Sequence, residues 1–299
     1  MWQPPAGAIL VGIDSSAAAM DAVRWAARDA ALRNVPLTLV HVVDAPLPEW
    51  FEVAAPAGIR QRQEERANDL IESAVKVAEA SIGDRRPVQI ASKVFNSATV
   101  ATLVGLSAEV EMVVVGYRGH GGALSRGFLG SVSSALVYHA HCPVAVIHDD
   151  DATLGNVARV PVLVGIDGSV TSEAATAIAF EEASRRGVGL TALHVWIDPR
   201  VSGSKGLFQD AKWDAQLSEE EEMLAERLAG WNERYPDVGI HRRIEIGDPA
   251  HWLIEASERA QLVVVGSHGC SSFRGKLLGS VGAAVVNKAK IPVIVARQS

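Results

Sequence analysis

The chain has 299 residues, 48% of them hydrophobic and 21% charged, which is the balance of a folded globular protein with room for two domains. With 28 basic against 35 acidic residues its formal charge is −7, a poor basis for sequence-independent binding to nucleic acid or an anionic membrane. Two cysteines exclude a disulfide framework, and no run approaches the roughly 20 apolar residues that span a bilayer. The opening MWQPPAGAIL has no basic segment followed by an apolar one, so it reads as part of the fold rather than a secretory signal, and a cytoplasmic location is expected.

In chain order, Ile9–Ile13 is the first short, β-branched run and predicts a buried strand. Leu37–Val42, Val88–Val94, Met112–Val115 and Val144–Ile147 follow as four more. Between the second and third, Arg66–Ala80 places Ala67, Leu70, Ile71, Ala74, Val75 and Ala78 at helical spacing. The series then restarts. VGIDSS (Val11–Ser16) returns as VGIDGS (Val164–Ser169), so Asp14 matches Asp167, and PLTLVHV returns as GLTALHV, so His41 matches His194. VVVG ending at Gly116 returns ending at Gly266, and LGSV (Leu129–Val132) returns as Leu278–Val281. A collinear series of this kind is an internal repeat. The boundaries expected are 1–149 and 160–299, with the polar 150–159 as linker.

Strands alternating with helices imply parallel strands and right-handed crossovers. Each half is predicted to be a five-stranded, doubly wound α/β domain that binds its ligand beyond the carboxyl ends of the strands. The counterpart of the Arg66–Ala80 helix carries Leu217, Leu224, Leu228 and Trp231, and its acidic run Glu219–Glu222 reads as a solvated face.

The loop after the fourth strand is the segment richest in chemistry. From Gly116 to Ser131 it holds Gly119, Gly121, Gly122, Gly127, Arg118 and Arg126, with no acid in an acidic chain. From Gly266 to Ser280 the second copy holds Arg274 and Lys276, again without an acid. Glycine lets backbone approach an anion closely, and a helix starting at Gly130–Ser131 or Gly279–Ser280 offers open N–H groups and a positive dipole end. Ser131 and Ser133 add hydroxyls. The plain alternative is that the glycines only turn and the serines only cap. Two acid-free copies at the expected ligand edge favour a polyphosphate. Neither loop has a Walker A pattern or Gly-x-Gly-x-x-Gly. Asp14 and Asp167, at the end of each first strand, suit ribose hydroxyls or a purine amine, or else merely start the next helix.

These residues resemble the universal stress protein family in its tandem, ATP-binding form. The family signature is Gly, two residues, Gly, nine residues, Gly, then Ser or Thr. Gly266, Gly269, Gly279 and Ser280 match it in full, whereas Gly116, Gly119, Gly130 and Ser131 match with ten residues where the pattern has nine. Gly282 stands where the first copy has Ser133, removing one possible phosphate donor. The resemblance implies a regulator with one ATP site per half, Mg²⁺ held mainly by the phosphates, and at most slow hydrolysis. It places Asp14 and Asp167 at the adenosine end and the backbone of Val42 and Val195 against adenine. The full candidate set adds Gly12, Val132, Gly165 and Val281. Pairing through the last strands, 143–148 and 292–297, implies an internal pseudo-dimer and a homodimer of chains, with a further protein partner. An ATP-using enzyme and a nucleotide-free interaction module are the competing readings.

Three other clusters carry less. His139, His141, Cys142 and His148 fit no zinc spacing and read as helix end and strand start. His41 and His194 read as hydrogen-bonded structural groups, and Cys270 as an ordinary thiol. Trp50, Phe51 and Trp213 are assigned to excursions after the second strand of each copy.

Overall fold

The VGI runs that open each repeat become central strands because nothing on either face is polar: Ile9, Leu10 and Val11 are fully buried, as are Val162 and Val164. The computed structural model describes residues 2–44, 57–119, 129–148, 160–196, 211–269 and 278–297, with backbone alone at 57–60 and 211–216. The described residues form two compact units.

The first unit runs β1 (Ile9–Ile13), α1 (Ala17–Arg33), β2 (Leu37–Val43), α2 (Ala57–Ile82), β3 (Ile90–Asn96), α3 (Thr99–Leu106), β4 (Met112–Gly116), α4 (Ser131–His139) and β5 (Val144–Ile147). Its strands lie in the order β3-β2-β1-β4-β5, every pair parallel. The second unit runs β6 (Val162–Ile166), α5 (Val170–Arg186), β7 (Leu190–Trp196), α6 (Ala211–Arg234), β8 (Ile240–Ile246), α7 (Pro249–Ser257), β9 (Leu262–Gly266), α8 (Ser280–Lys288) and β10 (Val293–Ala296). Its order is β8-β7-β6-β9-β10, again parallel. In each unit the chain builds outward from the first strand in one direction, then returns to its other side. That reversal opens a crevice at the carboxyl ends of β1 and β4, and of β6 and β9.

Three expectations shift. The third strand is Ile90–Asn96 rather than Val88–Val94, because it pairs with β2 residue by residue from Leu37↔Ile90 to Val43↔Asn96. The second helix starts at Ala57, ahead of Arg66, and the turns before the apolar stripe are exposed from Gln61 to Arg66. Trp213 belongs to helix α6 rather than to an excursion. Trp50, Phe51 and the linker 150–159 lie outside the described residues.

Ser16 and Ser169 cap α1 and α5, accepting from Ala19 N at 3.1 Å and Ser172 N at 3.2 Å. Such caps contribute roughly 1 kcal/mol each. On the same helices Asp29 and Glu182, both 1% exposed, pair one turn on with Arg33 at 2.7 Å and Arg186 at 2.7 Å.

Candidate functional site

Each crevice is built from three pieces of backbone that glycine allows to meet. At the end of β4, Gly116 lies so close to the first turn of α1 that a Cβ there would sit 2.7 Å from the Ala18 carbonyl carbon and oxygen. At the end of β9, a Cβ on Gly266 would sit 2.8 Å from Thr171 Oγ1 and 2.9 Å from the Thr171 carbonyl carbon. Real side chains do not tolerate such distances, so these two positions dock the loop on the helix. Two residues further the chain passes the aspartate. A Cβ on Gly119 would collide with Asp14 Oδ2, and one on Gly269 would lie 2.8 Å from Asp167 Oδ2.

Both aspartates are oriented by the helix they precede. Asp14 Oδ1 accepts from Ser16 N at 3.0 Å and from Ser16 Oγ at 2.5 Å, and Asp167 Oδ1 accepts from Ser169 N at 2.9 Å. Starting the helix and facing the crevice are therefore compatible roles. One carboxylate oxygen serves the turn while the other faces the loop glycine.

The opposite wall is a helix N-terminus. Gly130 is the N-cap of α4 and Gly279 that of α8, and neither offers a side chain to cap the helix. Their own N–H groups are committed, Gly130 to Tyr117 O at 3.0 Å and Gly279 to Ser267 O at 2.7 Å. The next three N–H groups have no intrahelical acceptor by the geometry of a helix. They belong to Ser131, Val132 and Ser133 in the first unit and to Ser280, Val281 and Gly282 in the second, and all six residues line their crevices. The dipole of each helix adds partial positive charge at the same place. The cavities measure about 480 and 410 Å³, within the range that holds a small organic ligand.

The universal stress protein family model matches residues 6–148 and again 160–297. The chain belongs to the universal stress protein family. A universal stress protein of Mycobacterium tuberculosis (strain H37Rv) is 51% identical over 291 residues, covering 97% of this chain and 96% of that one. One of Mycolicibacterium smegmatis is 48% identical over 289 residues, with 97% and 96% covered. Among solved structures, a universal stress protein from Archaeoglobus fulgidus shares the fold at a TM-score of 0.71 and 19% identity, covering 99% of this chain and 100% of that one.

Within these universal stress domains, Gly12, Asp14, Val42, Gly116, Arg118, Gly119, Gly130, Ser131, Val132 and Ser133 come together around the first cavity. Gly165, Asp167, Val195, Gly266, Gly269, Gly279, Ser280 and Val281 surround the second. Gly121, Arg126 and Lys276 lie outside the described residues, as do Gly122, Gly127, Cys270 and Arg274. Arg118 also lies over the Tyr117 ring at 5.1 Å, which fixes the root of the first loop.

The role assigned to the Ser133 hydroxyl needs correction. It is buried and donates to Gly116 O at 2.7 Å, so its proton is spent bracing the strand end. Gly282 therefore lacks a brace to the strand end rather than a hydroxyl left over for a ligand. Substituting serine for it would bring a Cβ to 3.1 Å from Leu278 Cδ1. His41 and His194 take the structural part expected of them, their Nδ1 atoms bonding Ile13 O at 2.9 Å and Ile166 O at 2.7 Å.

Four wall residues escaped sequence reasoning. Thr99 and Leu103 of α3 close the first cavity, and Pro249 and Leu253 of α7 close the second. Leu103 and Leu253 approach a Cβ position on Gly12 and Gly165 to 3.1 and 3.2 Å, so these glycines make room for the wall. A short apolar helix directly after the third strand was the available signal. Glu220 and His268 of the second cavity were also missed. Glu220 was read as part of a solvated acidic face, yet its side chain is only 18% exposed and pairs with His194 Nε2 at 3.2 Å.

Proposed function

We propose that the protein binds ATP, one molecule per domain, and acts as a nucleotide-dependent regulator of stress response or growth. The observation that carries this reading is the pairing, in both domains, of an uncapped helix N-terminus with an oriented carboxylate across one crevice. Three N–H groups and a dipole at one end suit a polyphosphate, as at other helix N-termini. An acceptor carboxylate at the end of the first strand suits the hydroxyls or amine of a nucleoside. The nine-residue glycine signature of the second half points the same way, and the ten-residue version extends it to the first.

Magnesium fits such a site through the phosphates. Each cavity turns a carboxylate, Asp14 or Asp167, toward the loop, and among the described residues no three His, Cys, Asp or Glu side chains cluster as a metal cage. When bound, the ion would neutralise phosphate charge, while the chain itself supplies the N–H groups of Ser131–Ser133 and Ser280–Gly282. We assign no catalytic residue, and the regulatory output would be a protein contact that differs between loaded and empty forms, with pairing of chains as one such contact.

Extraction of the purified, heat-denatured full chain, followed by nucleotide chromatography and mass measurement, tests the reading. ATP approaching two per chain is expected. A protein that arrives empty and takes up no ATP in calorimetry would overturn it, and a released adenylylated or phosphorylated small molecule would favour an ATP-using enzyme instead.

A further inference from the structure

The two cavities differ at one wall. Helices α2 and α6 share a register: Ala74 and Ala78 are buried where Leu224 and Leu228 are, and the strands that follow begin at Ile90 and Ile240. In that register Glu220 falls where the first domain has Leu70. No described residue of α2 lines the first cavity, whereas Glu220 lines the second, beside His194, Val195 and Trp196 at the end of β7. Among the described residues, Asp167 and His268 are the other titratable groups lining that cavity.

Glu220 is held in place. His194 Nδ1 lies 2.7 Å from Ile166 O, and because a carbonyl only accepts, the ring proton there is on Nδ1. The other ring nitrogen, Nε2, lies 3.2 Å from Glu220 Oε2. Glu220 thus lines the cavity as a carboxylate held against His194, at the end of β7.

We infer that Glu220, positioned by His194, is a recognition residue confined to the second domain, where it accepts a hydrogen bond from a donor on the base or sugar of the bound nucleotide. The inference rests on the ATP reading of the same cavity. It gives the second site one nucleoside contact more than the first, since each cavity has its aspartate, Asp14 or Asp167, while Leu70 offers no acceptor where Glu220 does.

The test uses full-length chains in which Gly130→Val or Gly279→Val leaves one site intact. Each is titrated calorimetrically with ATP, 2′-deoxy-ATP, 3′-deoxy-ATP and purine riboside triphosphate, which separate the two ribose hydroxyls from the base amine. In the Gly130→Val chain one analogue is expected to be disfavoured relative to ATP about tenfold or more beyond its penalty in the Gly279→Val chain, the usual effect of losing one further hydrogen bond to a charged group. Adding Glu220→Leu, the residue of the first domain, is expected to erase that preference while the melting temperature holds. The Gly279→Val chain is expected to show only the preference that Asp14 confers. A second site no more selective than the first overturns the inference, as does an excess preference that survives Glu220→Leu. If neither single-site chain binds ATP at all, the nucleotide reading has failed and this inference falls with it.

Discussion

Gly266 and Gly269 stand three residues apart in one loop, and alanine should do different damage at each. At Gly266 the added methyl would meet Thr171 Oγ1 at 2.8 Å, the Thr171 carbonyl carbon at 2.9 Å and Ser172 N at 3.0 Å. Two of those atoms are backbone in the first turn of α5, which is pinned by its Ser169 cap and by Thr171 Oγ1 donating to His268 O at 2.5 Å. Ordinary contact needs 3.4 Å or more, so β9 and α5 would have to separate by about half an ångström along a buried face. Overpacking of this kind costs about 1–3 kcal/mol, or roughly 2–4 °C of melting temperature per kcal/mol in a chain of this size. At Gly269 the one neighbour within reach is Asp167 Oδ2 at 2.8 Å, the end of a side chain that can rotate away. Rotation would loosen the Ser169 N–H bond to Oδ1 and misdirect the carboxylate, so the loss falls on binding, about 1–3 kcal/mol or fivefold to a hundredfold in affinity. Scanning calorimetry and ATP titration of both variants, with Gly130→Val isolating the second site, separate the two effects. The reasoning is refuted if Gly266→Ala melts like the wild type, or if Gly269→Ala binds ATP unchanged.

Asp14→Ala and Asp167→Ala should each weaken ATP binding at their own site by about 1–3 kcal/mol, read by calorimetry; unchanged affinity in both would leave the aspartates as helix starters only. Ser133→Ala removes the buried donor to Gly116 O and should lower the melting temperature while ATP affinity at the first site stays near its starting value; a large affinity loss would return the hydroxyl to the phosphate. The second site is expected to bind ATP about tenfold more tightly than the first, because one extra residue between Gly119 and Gly130 displaces N–H groups that must lie about 2.7–3.0 Å from oxygen. Titration of the Gly130→Val and Gly279→Val chains compares the sites, and a first site of equal or greater affinity would show the longer loop to be harmless. Arg33→Leu removes the ion pair to the buried Asp29 and should destabilise the first domain, by up to about 3–5 kcal/mol in urea unfolding; a loss under 1 kcal/mol would mean that the other groups around Asp29 hold its carboxylate.

Much of this was already determined by the amino-acid order. The duplication, the parallel α/β class and most of the two candidate sites follow from local signals, because β-branched runs buried on both faces and glycines before a helix start leave the same trace wherever they occur. Asp14, Gly116 and Gly119 could be named from spacing alone. What spacing could not supply is where a particular atom spends its hydrogen bond. Ser133 looked like a phosphate donor because it lies in the first turn of a helix, yet its hydroxyl donates to Gly116 O at 2.7 Å. Glu220 looked like one member of a solvated run, since four consecutive acids point around a helix whose exposed face the sequence cannot distinguish from its crevice face. Only the packing of α6 beside β7 turned that carboxylate toward His194 and into the cavity. The walls made by α3 and α7 were likewise settled in three dimensions, where Leu103 and Leu253 close on glycines that stand far from them in the chain. Contacts between distant segments depend on how helices seat against a sheet, and that geometry is a property of the assembled layers rather than of any one of them.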